Sequence, residues 1–366
     1  MSKSGKMPTN LQHLRLITGN VACDLDSAAT AIAYAAYLTR KQPDTVTIPV
    51  LNIWRDELHV HTEVAAWINK VFHPMTTIDR IVLFRDDIVK LSTNRFNVSV
   101  ILLDHNVLEA PFTQIKRVHV EQVIDHHVVP EGVHLPQGSI VAPVASGATL
   151  VSGQILDIDR DFRLLTDEFA KLLFGAILID TDNLGNRFKT TDNDRRMAET
   201  LREQFDWPAD FQNEAYELIM TAKSDVSTLS VKEMLNKDYK PVPDTEPTIG
   251  IATVPTVKEI FLEKFLADAP KNRMDDFLNF NDIDILIVRL VADSSVLVYG
   301  YPSERVDELV QFLHKSWQLD LRLTDLTVPD GYPPGIRLMY QGNPAVTRKQ
   351  YLPVLHNRFC QTCNVQ

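Results

Sequence analysis

The sequence predicts an α/β protein with two domains, and three observations support this. In the first half, short β-branched runs alternate with amphipathic helical segments, a pattern typical of helices that flank a mostly parallel sheet. At 366 residues the chain is too long for one ordinary hydrophobic core. The Trp-Pro step at Trp207 and Pro208 interrupts the helical pattern, and a new series of elements follows. We therefore predict an N-terminal domain over residues 1–207 and a smaller α/β domain over residues 208–366.

The first domain contains five apolar runs that read as strands. They are "LRLITGN", "TVTIPVLN", "IDRIVLF", "VSVILLD" and "RVHVEQVID". Helical patterns between them, such as "SAATAIAYAAYLTR" and "LHVHTEVAAWINKVF", make the order βαβ. Two more helices are predicted at about Ala148 to Ile158, with Ser146 as an N-terminal cap, and at about Thr166 to Ile179.

The second domain begins with a helix and has its own strand and helix patterns. The predicted strands are "PTIGIATV", "IDILIVRLV" and "SSVLVYGY", and the predicted helices are "PTVKEIFLEKFLADA", "ERVDELVQFLHKSW" and a last one from about Lys349.

Composition and charge limit the possible environments and partners. The chain is 45% hydrophobic and 23% charged, its three cysteines cannot form a disulfide framework, and no apolar run is long enough to span a bilayer. We therefore expect a soluble, cytoplasmic protein. The net charge of −11 argues against general nucleic-acid binding and against binding to an acidic membrane. It leaves a small anionic substrate open, and protein partners are not predicted.

Acidic side chains follow four apolar runs at what we expect to be the carboxyl ends of strands. They are Asp24 and Asp26 after "LRLITGN", Asp104 after "VSVILL", Asp125 with His126 and His127 after "HVEQVI", and Asp180 with Asp182 after "FGAILI". A single Asp at such a place is commonly a helix cap or a turn residue. Four of them at one sheet edge would repel one another unless a cation neutralised them.

Asp and His ligands, with no cysteine beyond Cys23 nearby, suit a hard or borderline divalent ion such as Mg²⁺, Mn²⁺ or Co²⁺. Bridging carboxylates could hold two ions roughly 3.5 to 4 Å apart, an arrangement that activates water for phosphoryl displacement. The pattern therefore predicts a site with two divalent ions.

Six ordered motifs resemble those of the DHH phosphoesterase superfamily. The four N-terminal motifs are "NVACDLDS", "LLDHN", "VIDHH" and "ILIDT", and the two C-terminal ones are "NKDYK" and "YQGNPAVTRKQYLPVL". The C-terminal pair is similar to the second domain, DHHA2, of the branch that includes manganese-dependent inorganic pyrophosphatases, fungal exopolyphosphatases and prune proteins. Several stretches, such as "GNVACDLDS" and "VPVLNIWRDEL", look closest to prune and the exopolyphosphatases.

The resemblance implies a role for each matching residue. Asp24 would bind the first metal, Asp26 the second, and Asp104 both, while His126 and Asp180 would complete the second site. His127 would donate a hydrogen bond to substrate phosphate, and Asp125 would orient a histidine. Lys240, Arg348 and Lys349 occupy the positions that contact phosphate in the second domain.

One departure concerns Asn20, which stands where the pyrophosphatases have a histidine ligand of the first metal. Because an amide is a poorer ligand, weakly held Mg²⁺ becomes plausible at this position. Exopolyphosphatases and prune proteins share the asparagine, which favours polyphosphate over pyrophosphate. The motif formed by Asp125, His126 and His127, which is altered in animal prune, is intact here and favours an active hydrolase.

The resemblance thus implies a metal-dependent exopolyphosphatase that releases orthophosphate from the end of short polyphosphates, with closure of the two domains assembling the site. Three alternatives remain: an inorganic pyrophosphatase, a nucleotide phosphodiesterase of the same superfamily, and a prune-like interaction protein.

Overall fold

The computed structural model describes residues 13–72, 78–91, 97–267, 273–329, 331–333 and 335–360. The chain divides into two compact units, Met1–Lys223 and Ser224–Gln366, called unit 1 and unit 2 below. The boundary predicted at residues 207 and 208 precedes the helix at Phe211–Ser224, whereas the division between the two units falls at the end of that helix. The position of the functional domain boundary stays a prediction.

Unit 1 is built on a six-stranded sheet with the order β3-β2-β1-β4-β5-β6. Its strands are β1 (His13–Thr18), β2 (Val46–Leu51), β3 (Leu83–Phe84), β4 (Asn97–Leu103), β5 (Val118–Asp125) and β6 (Ile140–Val141). Every neighbouring pair is parallel. The predicted parallel sheet is therefore confirmed.

Helices surround this sheet. They are α1 (Leu25–Lys41), α2 (Thr62–Val71), α3 (Arg85–Leu91), α4 (Gly147–Ile158), α5 (Asp167–Asp180), α6 (Asp192–Gln204) and α7 (Phe211–Ser224). Short 3-10 helices occur at Arg55–Val60, Ile78–Arg80 and Phe112–Gln114. No described helix of either unit is long and apolar enough to cross a membrane.

Helix α1 and strand β1 show why this core forms. On one face of β1, Leu14 and Leu16 pack into one apolar cluster, and on the other face Ile17 packs into a second cluster. The strand is therefore buried on both faces. Helix α1 is rich in alanine, which brings its backbone close to its neighbours, and it packs mainly on β2 and α5. The central strand and this helix thus hold the turn between them, residues 19 to 24, in a fixed place.

Unit 2 is a mixed sheet with the order β11-β12-β10-β9-β8-β7 and helices beside it. Its strands are β7 (Tyr239–Val242), β8 (Ile249–Val254), β9 (Ile285–Leu290), β10 (Ser295–Gly300), β11 (Leu323–Leu326) and β12 (Arg337–Gln341). Its helices are α8 (Val231–Lys237), α9 (Lys258–Ala267), α10 (Arg273–Asn281), α11 (Ser303–Lys315) and α12 (Arg348–Phe359). Only β8 and β9 pair in parallel; the other pairs are antiparallel. The prediction of a second α/β domain is confirmed.

Two predicted strands differ from the structure. The run "IDRIVLF" forms a 3-10 helix followed by the two-residue strand β3. The expectation that Asp180 follows a strand is wrong, because the run "FGAILI" before it lies within α5. Asp180 is the last residue of that helix. Helix α5 nevertheless agrees with the helix predicted at about Thr166 to Ile179.

Candidate metal centre

The candidate site lies at the carboxyl edge of the unit 1 sheet, at the point where the strand order reverses. β1 lies between β2 and β4, and ligands bind at such switch points in parallel sheets. Thr18 pairs with Leu102, and Leu103 with Ile124, so the next positions of β1, β4 and β5 meet side by side. This register brings Asn20, Asp104 and Asp125 to one place.

Asp24 and Asp26 occupy the start of α1. Asp24 is its N-terminal cap, and its Oδ1 accepts a 3.1 Å hydrogen bond from the backbone N–H of Ser27. The capping function expected of a single Asp is therefore present here. Asp26, two residues later, is only 2% exposed.

The start of α4 forms a cradle for Asp26. Its Oδ1 accepts hydrogen bonds from the Ser146 hydroxyl and the Ala148 N–H, both at 2.8 Å, and its Oδ2 accepts one from the Gly147 N–H at 2.6 Å. Ser146 caps α4, as predicted. A Cβ at Gly147 would lie 3.0 Å from Asp26 Oδ2, so a larger residue here would force the Asp26 carboxylate to shift slightly.

Asp104, at the end of β4, is 3% exposed and stands at the centre of the cluster. Its Oδ2 accepts hydrogen bonds from Ser27 Oγ at 2.6 Å and from Asn20 Nδ2 at 2.7 Å. Its Oδ1 lies 3.0 Å from His126 Nε2 and 3.6 Å from His127 Nδ1. Its φ of 61° lies in the left-handed region, which side chains adopt rarely and Asp more readily than most. This backbone turns the carboxylate into the site.

His126 is oriented by its two ring nitrogens. Nδ1 donates to the carbonyl oxygen of Val144 at 2.9 Å, which leaves Nε2 to face Asp104 and, at 3.9 Å, Asp26 Oδ2. A histidine held through one nitrogen by a carbonyl is the usual arrangement of a metal ligand.

Asp125 orients His127, as predicted for a carboxylate next to a histidine. Its Oδ1 accepts 2.8 Å hydrogen bonds from His127 Nδ1 and from the His126 N–H, and its Oδ2 accepts one from Asn106 Nδ2 at 2.6 Å. The His127 side chain is 56% exposed, whereas that of Asp125 is fully buried. His127 is therefore fixed at one end and open to solvent at the other.

Asp180 reaches the cluster from the end of α5. Its Oδ2 is buried and has no hydrogen-bond partner among the described residues, while its Oδ1 lies 3.3 Å from Lys189 Nζ. Because α5 is apolar on nearly every side, it can pass through the core and deliver this carboxylate.

The electrostatics show that these carboxylates crowd one another. Burial, together with the charges of Asp104 and Asp24, raises the pKa of Asp26 to about 7. Burial, together with Asp26 and Asp24, raises the pKa of Asp180 to about 7. Burial also raises the pKa of Asp104, although the hydrogen bond from His126 opposes the change. Burial lowers the pKa of His126, but the hydrogen bond to Asp104 and the charge of Asp26 outweigh it, so that the net pKa is raised.

The donor set fits a divalent metal ion. Asp104, His126 and His127 each offer a ligand atom within 4.8 Å of the others. Asp180 adds a buried oxygen without a partner in the described part of the chain, and Asp26 adds a second crowded carboxylate. Oxygen and imidazole ligands suit Mg²⁺, Mn²⁺ or Co²⁺, and a cation would relieve the repulsion between the carboxylates.

A cleft of about 290 Å³ opens beside these residues. It is lined by, among others, Asn20, Asp104, His105, Asn106 and His127. His105 Nδ1 donates to the Leu103 carbonyl at 2.9 Å, which holds the loop after β4. The volume suits one small molecule.

The three predicted cationic residues lie in unit 2. Lys240 is exposed on β7, and Arg348 and Lys349 begin α12. Arg348 Nη1 donates to the Asp238 carboxylate at 2.5 Å and to the Asp238 carbonyl at 2.8 Å. Since Asp238 stands two residues before Lys240, this ion pair brings the segments that contain Lys240 and Arg348 together within the unit.

Sequence reasoning did not identify three residues that contact the carboxylates: Ser27, Ser146 as a donor to Asp26, and Lys189. Ser27 lies inside a quoted motif, "NVACDLDS", and Ser146 was identified as a cap, so both had a local signal. Lys189 lies in the loop after α5, and no sequence pattern marks it.

Comparison with known proteins gives consistent matches along the chain. Residues 15–177 match the DHH family, N-terminal domain, and residues 217–358 match the DHHA2 domain. "Exopolyphosphatase PRUNE1" of Homo sapiens is 30% identical over 362 residues, covering 93% of this chain and 75% of that protein. "Probable manganese-dependent inorganic pyrophosphatase" of Clostridium acetobutylicum is 24% identical, covering 87% of this chain and 94% of that protein.

A solved structure supports the fold. The crystal structure of a putative family II inorganic pyrophosphatase from Methanococcus jannaschii aligns with a TM-score of 0.55 at 21% identity, covering 94% of this chain and 99% of that chain. The six motifs of the sequence and these matches point to the same group of proteins.

Proposed function

The chain belongs to the DHH family, in the branch that carries a DHHA2 domain and includes prune, and from this premise we propose that it is a metal-dependent exopolyphosphatase. The proposed reaction is hydrolysis of the terminal phosphoanhydride bond of a short inorganic polyphosphate, with release of orthophosphate. The observation that carries the proposal is the meeting of Asp26, Asp104, Asp180 and His126 at one sheet edge, in a chain similar to an exopolyphosphatase.

Six residues are proposed to hold two divalent ions, Mg²⁺, Mn²⁺ or Co²⁺. They are Asn20, Asp24, Asp26, Asp104, His126 and Asp180. When bound, the ions would supply positive charge to the phosphate oxygens and lower the pKa of a water molecule. Asp104 is suited to serve both ions because its two oxygens face different neighbours, His126 on one side and Ser27 with Asn20 on the other.

His127 is proposed to donate a hydrogen bond to the substrate. Asp125 accepts from its Nδ1, which leaves Nε2 as the nitrogen for a phosphate oxygen. The buried Asp125 carboxylate thus anchors the ring at one nitrogen, while the His127 side chain is 56% exposed and can be reached by an anion.

Lys240, Arg348 and Lys349 are proposed to bind the phosphates that remain attached to the chain. Arg can hold one phosphate through two parallel hydrogen bonds, and Lys contributes a point charge. These local cations would offset the repulsion between an anionic substrate and a chain whose net charge is −11.

Pyrophosphate is the second candidate substrate, supported by the similarity to a pyrophosphatase. Asn20 disfavours it, because the asparagine stands where the pyrophosphatases have a histidine ligand of the first metal. A phosphodiesterase and an interaction protein without activity are the remaining alternatives. A cytoplasmic location also stays a prediction.

Phosphate release from tripolyphosphate, pyrophosphate and a cyclic nucleotide, each with Mg²⁺, Mn²⁺ or Co²⁺ and with a chelator, tests the proposal. We expect tripolyphosphate to be the best substrate and the chelator to stop turnover. Asp104→Asn should lower kcat by about 10³-fold or more, since it removes a group on which both ions depend. Asp44→Asn, at an exposed turn, is the matched control and should leave the rate unchanged. No phosphate from any polyphosphate would reject the function.

A further inference from the structure

We propose that unit 2 contains a binding site for one phosphate group, in a small cavity lined by the buried Arg289. The choice of phosphate among anions rests on the proposed function. The site itself is inferred from unit 2 alone.

Arg289 is a buried cation that forms no close ion pair with a described carboxylate, although the charge of Asp238 acts on it. It lies near the end of β9 and is only 7% exposed. Its Nη2 donates to the Val346 carbonyl at 2.7 Å, and the guanidinium lies 5.6 Å from the centre of the Tyr351 ring. Its Nε–H is buried and has no acceptor among the described residues, and no carboxylate there forms an ion pair with it.

Such an arrangement is costly unless an anion completes it. An arginine stays protonated in proteins and offers five N–H donors, and buried charges are normally paired. Burial lowers the pKa of Arg289, although Tyr351 partly opposes the change. The neutral partners seen here, a carbonyl and a phenol, do not neutralise the charge.

Asp238, whose charge acts on Arg289, and Asp293 of the same unit already have other cationic partners. Asp238 binds Arg348 at 2.5 Å. Asp293 binds Lys258 Nζ at 3.2 Å and accepts from the Lys258 and Ser295 N–H groups. Neither carboxylate is therefore free to turn toward Arg289 without breaking an ion pair.

Arg289 lines a cavity of about 40 Å³ together with Ser294, Ser295, Gln341 and Pro344. This space is that of about three water molecules, comparable to one small oxyanion. Gln341 is held in place, since its Oε1 accepts from Tyr351 and its Nε2 donates to the carbonyls of Asn343 and Val346. Gln341 is thus fixed, and Arg289, which lines the same cavity, supplies the positive charge for an anion there.

The ligand that fits is a tetrahedral phosphate group, which the guanidinium can bind through parallel hydrogen bonds. Two sources share this chemistry: free orthophosphate and one phosphate of a polyphosphate chain. Arg348 interacts electrostatically with Arg289, so a bound phosphate would lie close to a second cation.

Calorimetric titration of the full chain with orthophosphate, in EDTA and without divalent ions, tests the site. We expect saturable binding that weakens about tenfold or more in Arg289→Met, since hydrogen bonds between a guanidinium and a phosphate are among the strong ones. Arg322→Met, an exposed arginine of the same unit paired with Asp320, is the matched control and should bind like the wild type. Arg289→Lys keeps the positive charge but lacks the planar guanidinium, so it should weaken binding less than Arg289→Met does. If Arg289→Met does not fold, Arg289→Lys is the variant that tests the site.

A competition experiment distinguishes the two sources. Displacement of orthophosphate by tripolyphosphate would assign the site to a phosphate of the chain, and failure to displace it would assign the site to free orthophosphate. The proposal is overturned if the wild type shows no saturable binding, or if only Arg348→Met weakens it while the Arg289 variants do not. Because divalent ions are absent from the titration, a lack of hydrolytic activity would not affect its result.

Discussion

Asn20 shows how one side chain shapes the candidate metal centre. Its amide nitrogen donates to Asp104, and its oxygen accepts from Ala22, so both ends of the side chain have partners. The sequence predicted a weaker ligand than histidine at this position, and that role stays a prediction. What the sequence did not reveal is the hydrogen bond to Asp104, because it depends on the register of β1 and β4.

Asp180 provides a prediction about pH. Its pKa is raised to about 7, so between about pH 4 and pH 7 the folded protein binds this proton more tightly than the unfolded chain does. In a chelator, stability should therefore fall as pH rises through this window. Asp180→Asn should remove this loss. At pH 8 its free energy of unfolding should exceed that of the wild type by roughly 1–4 kcal/mol, because each pKa unit corresponds to about 1.4 kcal/mol.

The measurement is urea unfolding at pH 5 and pH 8 for the wild type, Asp180→Asn and Asp157→Asn, an exposed carboxylate on α4. With saturating Mn²⁺ the stability of the wild type should rise, not fall, from pH 5 to pH 8, since a cation favours the ionised carboxylate. Equal pH dependence in the wild type and Asp180→Asn would show that this carboxylate is not crowded.

At the scale of elements, the start of α4 is what allows Asp26 to remain buried. Three donors from Ser146, Gly147 and Ala148 surround its two oxygens. Asp194, fully buried at the start of α6, supports the same turn by accepting from the Ala145 N–H at 3.0 Å and from Thr149 Oγ1 at 2.6 Å. Two helix starts therefore combine to position one carboxylate.

Two glycines of α4 provide a matched test. Gly147→Ala places a Cβ 3.0 Å from Asp26 Oδ2, whereas a Cβ at Gly153 meets only Met197 Cε at 3.8 Å. Gly147→Ala should weaken Mn²⁺ binding about tenfold, a typical effect of disturbing a group that orients a ligand. Gly153→Ala should leave binding unchanged and stabilise the helix by roughly 0.5–1 kcal/mol. Calorimetry and urea unfolding of both variants check this, and equal Mn²⁺ affinities would contradict the role of the cradle.

The run "FGAILID" marks a limit of prediction from sequence at this scale. Because it is apolar at every position before Asp180, its periodicity cannot separate a buried strand from a buried helix. The strands before Asp24, Asp104 and Asp125 were correctly identified because β-branched residues and short length favour them. Asp180 was therefore singled out as a site residue although its element was wrong, and Lys189 was missed because only the folded loop brings it to Asp180.

At the scale of the whole molecule, the proposed metal ligands lie in unit 1 and the proposed cations in unit 2. The fold class of both units was predicted, because βαβ alternation and a second series of elements are visible in the sequence. The short antiparallel strands β7, β11 and β12 were not predicted, since four or five residues carry too little pattern.

This separation allows substrate binding and metal binding to be changed independently. Arg348→Met should raise the KM for tripolyphosphate about tenfold, because it removes a cation that can hold phosphate, and should leave Mn²⁺ affinity unchanged. Arg322→Met serves as the control of equal charge change. Steady-state kinetics and calorimetry provide both readouts, and an unchanged KM would remove Arg348 from the substrate site.

The most direct test of the central claim is calorimetric titration of the chain with Mn²⁺ after removal of bound metal. If carboxylates from separate elements form a centre for two ions, the wild type should bind two Mn²⁺ per chain, Asp104→Ala should lose at least one of them, and Asp44→Asn should match the wild type. Full stoichiometry and affinity in Asp104→Ala would contradict the claim.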